Sequence, residues 1–93
     1  MTVYKIYLDD SIMMVEKAFV LINTDDHIDD DKIIAQLKKI DGISEVCKVS
    51  GIYNILVKVE AETMHKVAKV VNHRLKNLRN IQSTLTMVAI RNS

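Results

Sequence analysis

The chain is poor in the residues from which several kinds of site are built. It holds one cysteine, no tryptophan, one phenylalanine and two glycines among 93 residues. Cys47 has no second cysteine for a disulfide or for a cysteine-based zinc site. Thirteen Lys and Arg oppose twelve Asp and Glu, so a large basic field for nucleic acid is absent. These absences argue against a disulfide framework, a zinc–thiolate module and a protein that binds DNA by itself.

Long apolar segments are also missing. The most extended one, residues 18–22, is far too short to span a bilayer. The N-terminus carries Asp9 and Asp10 and lacks the uninterrupted apolar core of a secretory signal. Apolar residues make up 48% of the chain and charged residues 27%, which is typical of one soluble globular domain. We therefore predict a cytoplasmic protein with no membrane segment.

The residue pattern predicts secondary structure in the order strand, helix, strand, strand, helix, strand. Three aspartates, Asp29 to Asp31, suit the start of the first helix, because carboxylates cap free amides and favour the positive end of the helix dipole. The second helix carries apolar residues at helical spacing from Met64 to Leu78. The predicted strands are residues 17–24, 43–50, 52–59 and 81–90, and the first helix precedes Asp41 and Gly42.

Gly51 lies between the second and third of these strands. It has no Cβ and can take the positive φ that a tight turn demands. The sequence therefore predicts that the chain reverses at Gly51. After this turn, Tyr53, Ile55, Val57 and Val59 alternate with Ile52, Asn54, Leu56 and Lys58, which is typical of a strand with two distinct faces.

Two strand–helix–strand units joined by a hairpin predict an α+β, ferredoxin-like βαββαβ fold, a four-stranded antiparallel sheet with both helices on one face. The strands are apolar on both faces; Phe19 and Leu21, for example, oppose Val20 and Ile22. A large bare apolar face is rarely left in water. We therefore predict dimerisation through the open sheet face, as in a dimeric α+β barrel.

The predicted domain covers residues 15–93. Residues 1–14 are predicted to form an N-terminal arm or an extra edge strand at residues 3–8, followed by a turn at residues 9–11. Exchange of this arm with a neighbouring subunit is one way of ordering it.

From residue 15 to residue 90 the sequence resembles the ligand-binding (RAM) domain of the Lrp/AsnC transcription regulators. The resemblance rests on the strand at residues 18–22, the phrase LKKIDGI at residues 37–43, GIYN at residues 51–54 and IQSTLT at residues 81–86. Regulators of this family carry an N-terminal helix-turn-helix domain, whereas only about fifteen residues precede the match here. The resemblance therefore implies a stand-alone sensor domain.

The resemblance also implies a function and an assembly. It implies dimers that pack through their sheets, a ring of dimers that is often an octamer, and amino-acid effectors bound where dimers meet. The expected partners are an amino acid or related small metabolite and a full-length Lrp/AsnC-type regulator. No cofactor and no direct contact with nucleic acid are expected.

Site residues carry over from the resemblance at two places. Gly51, Ile52, Tyr53 and Asn54 match the family's Gly-x-aromatic-Asp loop, which lines the effector site. Three hydroxyl residues match the last strand, where hydroxyls approach the ligand: Ser83, Thr84 and Thr86. Asn54 stands where the family usually has aspartate, so its amide can form hydrogen bonds but lacks the charge attraction to an α-ammonium group.

Other classes of protein remain as alternatives to an Lrp/AsnC-type sensor. An ACT-like regulatory domain binds amino acids on a similar fold, and a small dimeric α/β-barrel enzyme shares the topology, although such enzymes usually line a cavity with His, Trp or Arg. An RNA-binding module would display aromatic and basic residues on the bare sheet face. No catalytic constellation is evident in the sequence. The acidic residues 25–31, with His27 among them, are better explained as helix caps than as a metal site.

Overall fold

The computed structural model describes residues 3–8, 15–25 and 29–91, and the side chains of residues 15–25 and 29–90. The elements are β1 (Val3–Leu8), β2 (Glu16–Thr24), α1 (Asp30–Lys38), β3 (Ile43–Lys48), β4 (Ile55–Ala61), α2 (Met64–Lys69) and β5 (Ile81–Arg91), and a π-helical segment (Val70–Leu75) continues α2. The predicted turn at residues 9–11 and His27 lie outside the described residues.

The sheet has the predicted βαββαβ arrangement at its centre. Its strand order is β1-β5-β2-β4-β3, and the neighbours from β5 to β3 run antiparallel. The predicted ferredoxin-like fold is therefore confirmed. At the outer edge, β1 pairs in parallel with β5, from Val3 opposite Thr86 to Leu8 opposite Arg91. The division of the chain into an arm and a domain at residue 15 stays a prediction.

The core lies between the sheet and the two helices. Alternate residues of β2 and β4 face the helices and are fully buried: Ala18, Val20, Ile22, Ile55, Val57 and Val59. Ile33 and Leu37 of α1 pack on this face, together with Val67, Val71 and Leu75 from the second helical region. Burying each of the larger aliphatic side chains contributes roughly 1.5–3 kcal/mol, so this one layer of contacts is the main source of stability.

The other face of the sheet carries an apolar patch beside charged residues. The strand register places five half-buried side chains on it: Phe19, Leu21, Leu56, Leu85 and Met87. Neither helix covers this face, because the helices pack against the opposite set of strand residues. Apolar side chains therefore lie on both sides of the sheet, as the sequence pattern predicts. The open face also carries the ion pair of Lys58 and Glu60, at 3.1 Å.

Both helices have a side-chain cap at their N-terminus, and the cap of α1 is one of the predicted aspartates. Asp29 caps α1 by accepting a hydrogen bond from the Asp31 amide at 3.0 Å. Thr63 caps α2 by accepting from the Lys66 amide at 3.2 Å. The second helix, however, is not α-helical throughout residues 64–78. From Val70 it becomes π-helical, and the Lys76 amide bonds to the Val71 carbonyl, five residues back.

The connection between β3 and β4 is longer than the predicted turn. Residues 49–54 lie outside both strands, so β4 begins at Ile55 and not at residue 52. The loop closes through the Val49 amide, which donates to the Asn54 carbonyl at 3.0 Å. Gly51 has a φ of +136°, a positive value that glycine adopts more readily than other residues.

No described helix is long and apolar enough to cross a membrane.

The two glycines differ in what surrounds them, and this difference can be tested. Both have positive φ, but a Cβ on Gly42 would lie 2.8 Å from Val70 Cγ2, whereas Gly51 has open space around it. We expect Gly51→Ala to cost about 1–3 kcal/mol from backbone strain alone. Gly42→Ala carries the same strain plus the clash, and should cost more in the free energy of unfolding measured with urea.

The control for this comparison is Val70→Ala. In the Gly42→Ala background it removes the clashing methyl group, so the double variant should lose less stability than the two single variants added together. Equal losses in Gly42→Ala and Gly51→Ala, with additive behaviour of the Val70 change, would contradict this account.

Candidate functional site

A groove lies where β2 ends, α1 begins and the β3–β4 loop folds back. Its volume is about 330 Å³, and it is lined by Asn23, Thr24, Asp25, Asp30, Gly51, Ile52 and Asn54. This volume falls at the lower end of the range for small-molecule sites. Ile52 stands out at its rim with 84% of its surface exposed. The groove therefore has the size of a site for a small metabolite.

Asn54 links the three elements that form the groove. Its Oδ1 accepts from the Thr24 amide at 3.0 Å, and its Nδ2 donates to Thr24 Oγ1 at 2.7 Å and to Asp30 Oδ1 at 2.8 Å. Its backbone amide donates to the Ile22 carbonyl at 3.0 Å. Because one partner is an amide donor and another a carboxylate acceptor, only one orientation of the carboxamide fits. The side chain of Asn54 is therefore held in a fixed position.

The side chains around Asn54 complete the network. Thr24 is buried, and its Oγ1 donates to Asp30 Oδ1 at 3.2 Å. Asp25 is held through its backbone amide, which donates to the Asn80 carbonyl at 2.8 Å. Asp30 is half-buried in the first turn of α1, where the helix dipole favours negative charge. The wall of the groove is thus fixed by hydrogen bonds on several sides.

The formal charge of the groove lining is negative. Asp25 and Asp30 contribute carboxylates, and no Lys, Arg or His is among the lining residues that the structure describes. The nearby Lys48 pairs instead with Asp31, at 2.8 Å, and this hydrogen bond and charge raise the pKa of Lys48 above its ordinary value. In the described part of the chain, neither Asp25 nor Asp30 forms an ion pair. The groove therefore suits a ligand that carries a cationic group.

Gly51 and Ile52, which line the groove, also carry backbone amides that can act as hydrogen-bond donors. Among the described residues, none accepts from the backbone amides of Gly51 and Ile52. Such amides can donate to a carboxylate. The residues that line the groove thus include Asp25 just after β2, Asp30 in α1 and two residues of the β3–β4 loop with free backbone donors among the described contacts.

The structure separates the predicted site residues into two groups. Gly51, Ile52 and Asn54 line the groove, whereas Tyr53 is half-buried and is not part of the lining. Ser83 pairs with Asn23 in the strand register, so it lies beside the groove without lining it. Thr84 pairs with the buried Ile22 and therefore faces the helices.

Thr86 belongs to a different cavity. It is buried on the helix-covered face, opposite Val20, and lines an apolar cavity of about 230 Å³ between α2 and the sheet. Val67 and Val71 line the same cavity. Within one chain, the loop residues and Thr86 therefore do not form a single site. Ligand contact at each of these residues stays a prediction.

Sequence reasoning missed Thr24 and Asp30 as site residues. The cluster of aspartates before α1 was the available signal, since a single carboxylate is enough to cap a helix. The structure gives each aspartate a separate contact: Asp29 caps α1, Asp31 pairs with Lys48, and Asp30 bonds to Asn54. No group of three or more His, Cys, Asp or Glu side chains within the described part of the chain is placed to hold a metal ion.

Comparison with known proteins gives a consistent set of relatives. A family model described as the Lrp/AsnC ligand binding domain matches residues 17–93. An uncharacterised HTH-type transcriptional regulator of Pyrococcus furiosus is 36% identical over 74 residues, which cover 77% of this chain and 49% of that protein. The chain thus spans about half the length of the curated regulators it matches. A homocitrate synthase of Saccharolobus islandicus is less similar: it is 27% identical over 75 residues, which cover 81% of this chain and 16% of that protein.

Solved structures show the same fold. E. coli AsnC superposes with a TM-score of 0.73 at 25% identity, over 85% of this chain and 52% of that chain. A regulator from Neisseria meningitidis in complex with L-Met superposes with a TM-score of 0.72 at 15% identity, over 87% of this chain and 53% of that one. The resemblance seen in the sequence is therefore confirmed, and this chain belongs to the family of Lrp/AsnC ligand binding domains.

Proposed function

We propose that this protein is a cytoplasmic effector-binding domain that takes an amino acid or a related small metabolite in the groove beside Asn54. The observation that carries the proposal is the groove itself, in which the loop residues Gly51, Ile52 and Asn54 meet the carboxylates of Asp25 and Asp30. In this proposal the domain has no catalytic role. It acts on transcription through assembly with a DNA-binding regulator of the same family.

The chemistry of the groove supports an amino acid as ligand. A free amino acid carries an ammonium group and a carboxylate a short distance apart. Asp30 offers a charged acceptor for the ammonium group, and the amides of Gly51 and Ile52 offer donors for the carboxylate. The neisserial regulator with L-Met has the same fold at 15% identity, which makes an amino acid a reasonable first class to test.

The open face of the sheet supports a dimer. Phe19, Leu21 and Leu85 are half-buried in a single chain, and a second copy would remove the rest of their apolar surface from water. In this proposal dimers pack through these faces and assemble further, with an octamer as the expected ring. A ligand that binds one assembly more tightly than another then shifts the equilibrium between them.

Ligand binding should raise the melting temperature of the purified protein. We propose a thermal-unfolding screen against the twenty amino acids at millimolar concentration. A ligand present at about one hundred times its dissociation constant stabilises by about 2.7 kcal/mol, which is several degrees in a domain of this size. A selective shift should be reduced in Asn54→Ala, because this variant removes the side chain that holds Thr24 and Asp30 in place.

The matched control is Asn77→Ala, which removes a carboxamide that bonds to the His73 carbonyl and does not line the groove. Each variant is compared with its own ligand-free melting temperature, so a general loss of stability does not count as a loss of binding. If no amino acid shifts the wild-type protein, then amino-acid sensing by this domain is wrong.

Disrupting the open sheet face should separate dimers. Leu21→Glu places a charge on that face, and we expect it to weaken self-association at least about tenfold, or about 1.4 kcal/mol, because a buried unpaired carboxylate is costly. Sedimentation velocity over a range of protein concentrations measures the effect. The control is His65→Glu on the exposed side of α2, which should leave the assembly unchanged. A wild-type monomer at all concentrations would contradict the proposed dimer.

A further inference from the structure

We infer that Asp30 is the charged group that binds the effector's ammonium group, and that Asn54 and Asp30 form a matched pair in which the carboxamide orients the carboxylate. This inference rests on the function proposed above and names the residue that would decide its ligand preference. It concerns a residue on α1, outside the loop and the last strand from which the sequence predictions came.

Asn54 has little hydrogen-bonding capacity left for a ligand. Both Nδ2 hydrogens are donated within the protein, one to Thr24 Oγ1 and one to Asp30 Oδ1. Its Oδ1 already accepts from the Thr24 amide. A neutral carboxamide with three of its four hydrogen bonds made inside the protein positions its neighbours rather than attracting a charged ligand.

Asp30, by contrast, keeps one carboxylate oxygen for a ligand. Asp30 Oδ1 accepts from Asn54 and from Thr24, while no described residue donates to Asp30 Oδ2. The side chain is half-buried and lines the groove. No described cation lies within ion-pair distance of it, since Lys48 pairs with Asp31 and interacts with Asp30 only at longer range. A carboxylate oriented by two donors and open on its other oxygen is well suited to an ammonium group.

A second negative charge at residue 54 is not compatible with the contact between Asn54 and Asp30. The Asn54 Nδ2 to Asp30 Oδ1 distance is 2.8 Å, so an aspartate at residue 54 would bring two carboxylates into contact and lose both donors. Residue 30 also lies in the first turn of α1, where negative charge is favoured. Residues 30 and 54 therefore accommodate one carboxylate between them. The N-terminus of α1 favours this negative charge at residue 30.

The pair can be reversed without changing its shape. In the double variant Asp30→Asn with Asn54→Asp, the carboxamide and the carboxylate exchange positions, and Thr24 Oγ1 can accept from residue 30 and donate to residue 54. Asn54→Asp alone should lower the unfolding midpoint at neutral pH, and adding Asp30→Asn should recover most of that loss. A midpoint for Asn54→Asp equal to that of the wild type would overturn the matched pair.

Binding is tested with the amino acid that gives the largest thermal shift and with its N-acetyl derivative, which has no ammonium group. We expect Asp30→Asn to weaken binding at least about tenfold while leaving the ligand-free protein folded, because it removes the charge and keeps the shape. The N-acetyl derivative should give no shift. The control is Asp31→Asn, one residue along the same helix, which removes the carboxylate that pairs with Lys48 and is not among the groove-lining residues.

The outcomes separate the inference from the proposed function. Binding that is lost in Asp30→Asn and kept in Asp31→Asn supports both. An amino acid that binds Asp30→Asn as tightly as the wild type, or binding of the N-acetyl derivative, overturns the role of Asp30 and leaves the sensor function standing. No shift with any amino acid overturns the proposed function, and the role of Asp30 with it.

Discussion

The antiparallel register between β2 and β4 is the constraint on which both the core and the groove depend. It pairs Ala18 with Val59, Val20 with Val57 and Ile22 with Ile55, and all six side chains are fully buried. Because side chains alternate along a strand, a slip of one residue would turn this whole set to the other face. The paired region ends at Ile22 and Ile55, which leaves Thr24 and Asn54 close together just beyond it.

The groove is the polar end of this apolar pair of strands. Thr24 is buried and needs hydrogen-bond partners, which Asn54 supplies from the loop and Asp30 from α1. A strand, a helix and a loop therefore meet through one carboxamide. A small molecule in this groove would contact groups that already hold three elements together, so its binding energy adds directly to the stability of the fold.

The groove and the open sheet face suit different roles. The groove is polar, negatively charged among its described lining residues and formed within one chain, whereas the open sheet face carries an apolar patch beside the ion pair of Lys58 and Glu60. In the proposed function the first surface selects a ligand and the second joins subunits. Their connection runs through β2, which contributes Thr24 to the groove and both Phe19 and Leu21 to the open face.

Much of the fold could be read from short-range patterns. Period-two alternation in β2 and β4, helical spacing after Met64 and the aspartates before α1 each depend on residues near one another in the chain. Gly51 marked the loop correctly, because a positive φ is a local property of the backbone. The start of β4 was placed three residues too early, since the Val49–Asn54 hydrogen bond that closes the loop leaves no trace in the alternation. The π-helical segment was missed for a similar reason, because its apolar residues have α-helical spacing.

The candidate site depends on contacts between residues that lie far apart in the sequence. The loop half, Gly51 to Asn54, was visible through its resemblance to a family, whereas Asp30 was seen only as a helix cap. Its contact with Asn54 spans 24 positions of sequence and exists only because β2 and β4 pair in one register. The sequence by itself determined the elements, their apolar faces and the family. Only the tertiary structure decided which aspartate meets Asn54, because that choice depends on how packed strands bring distant side chains within hydrogen-bonding distance.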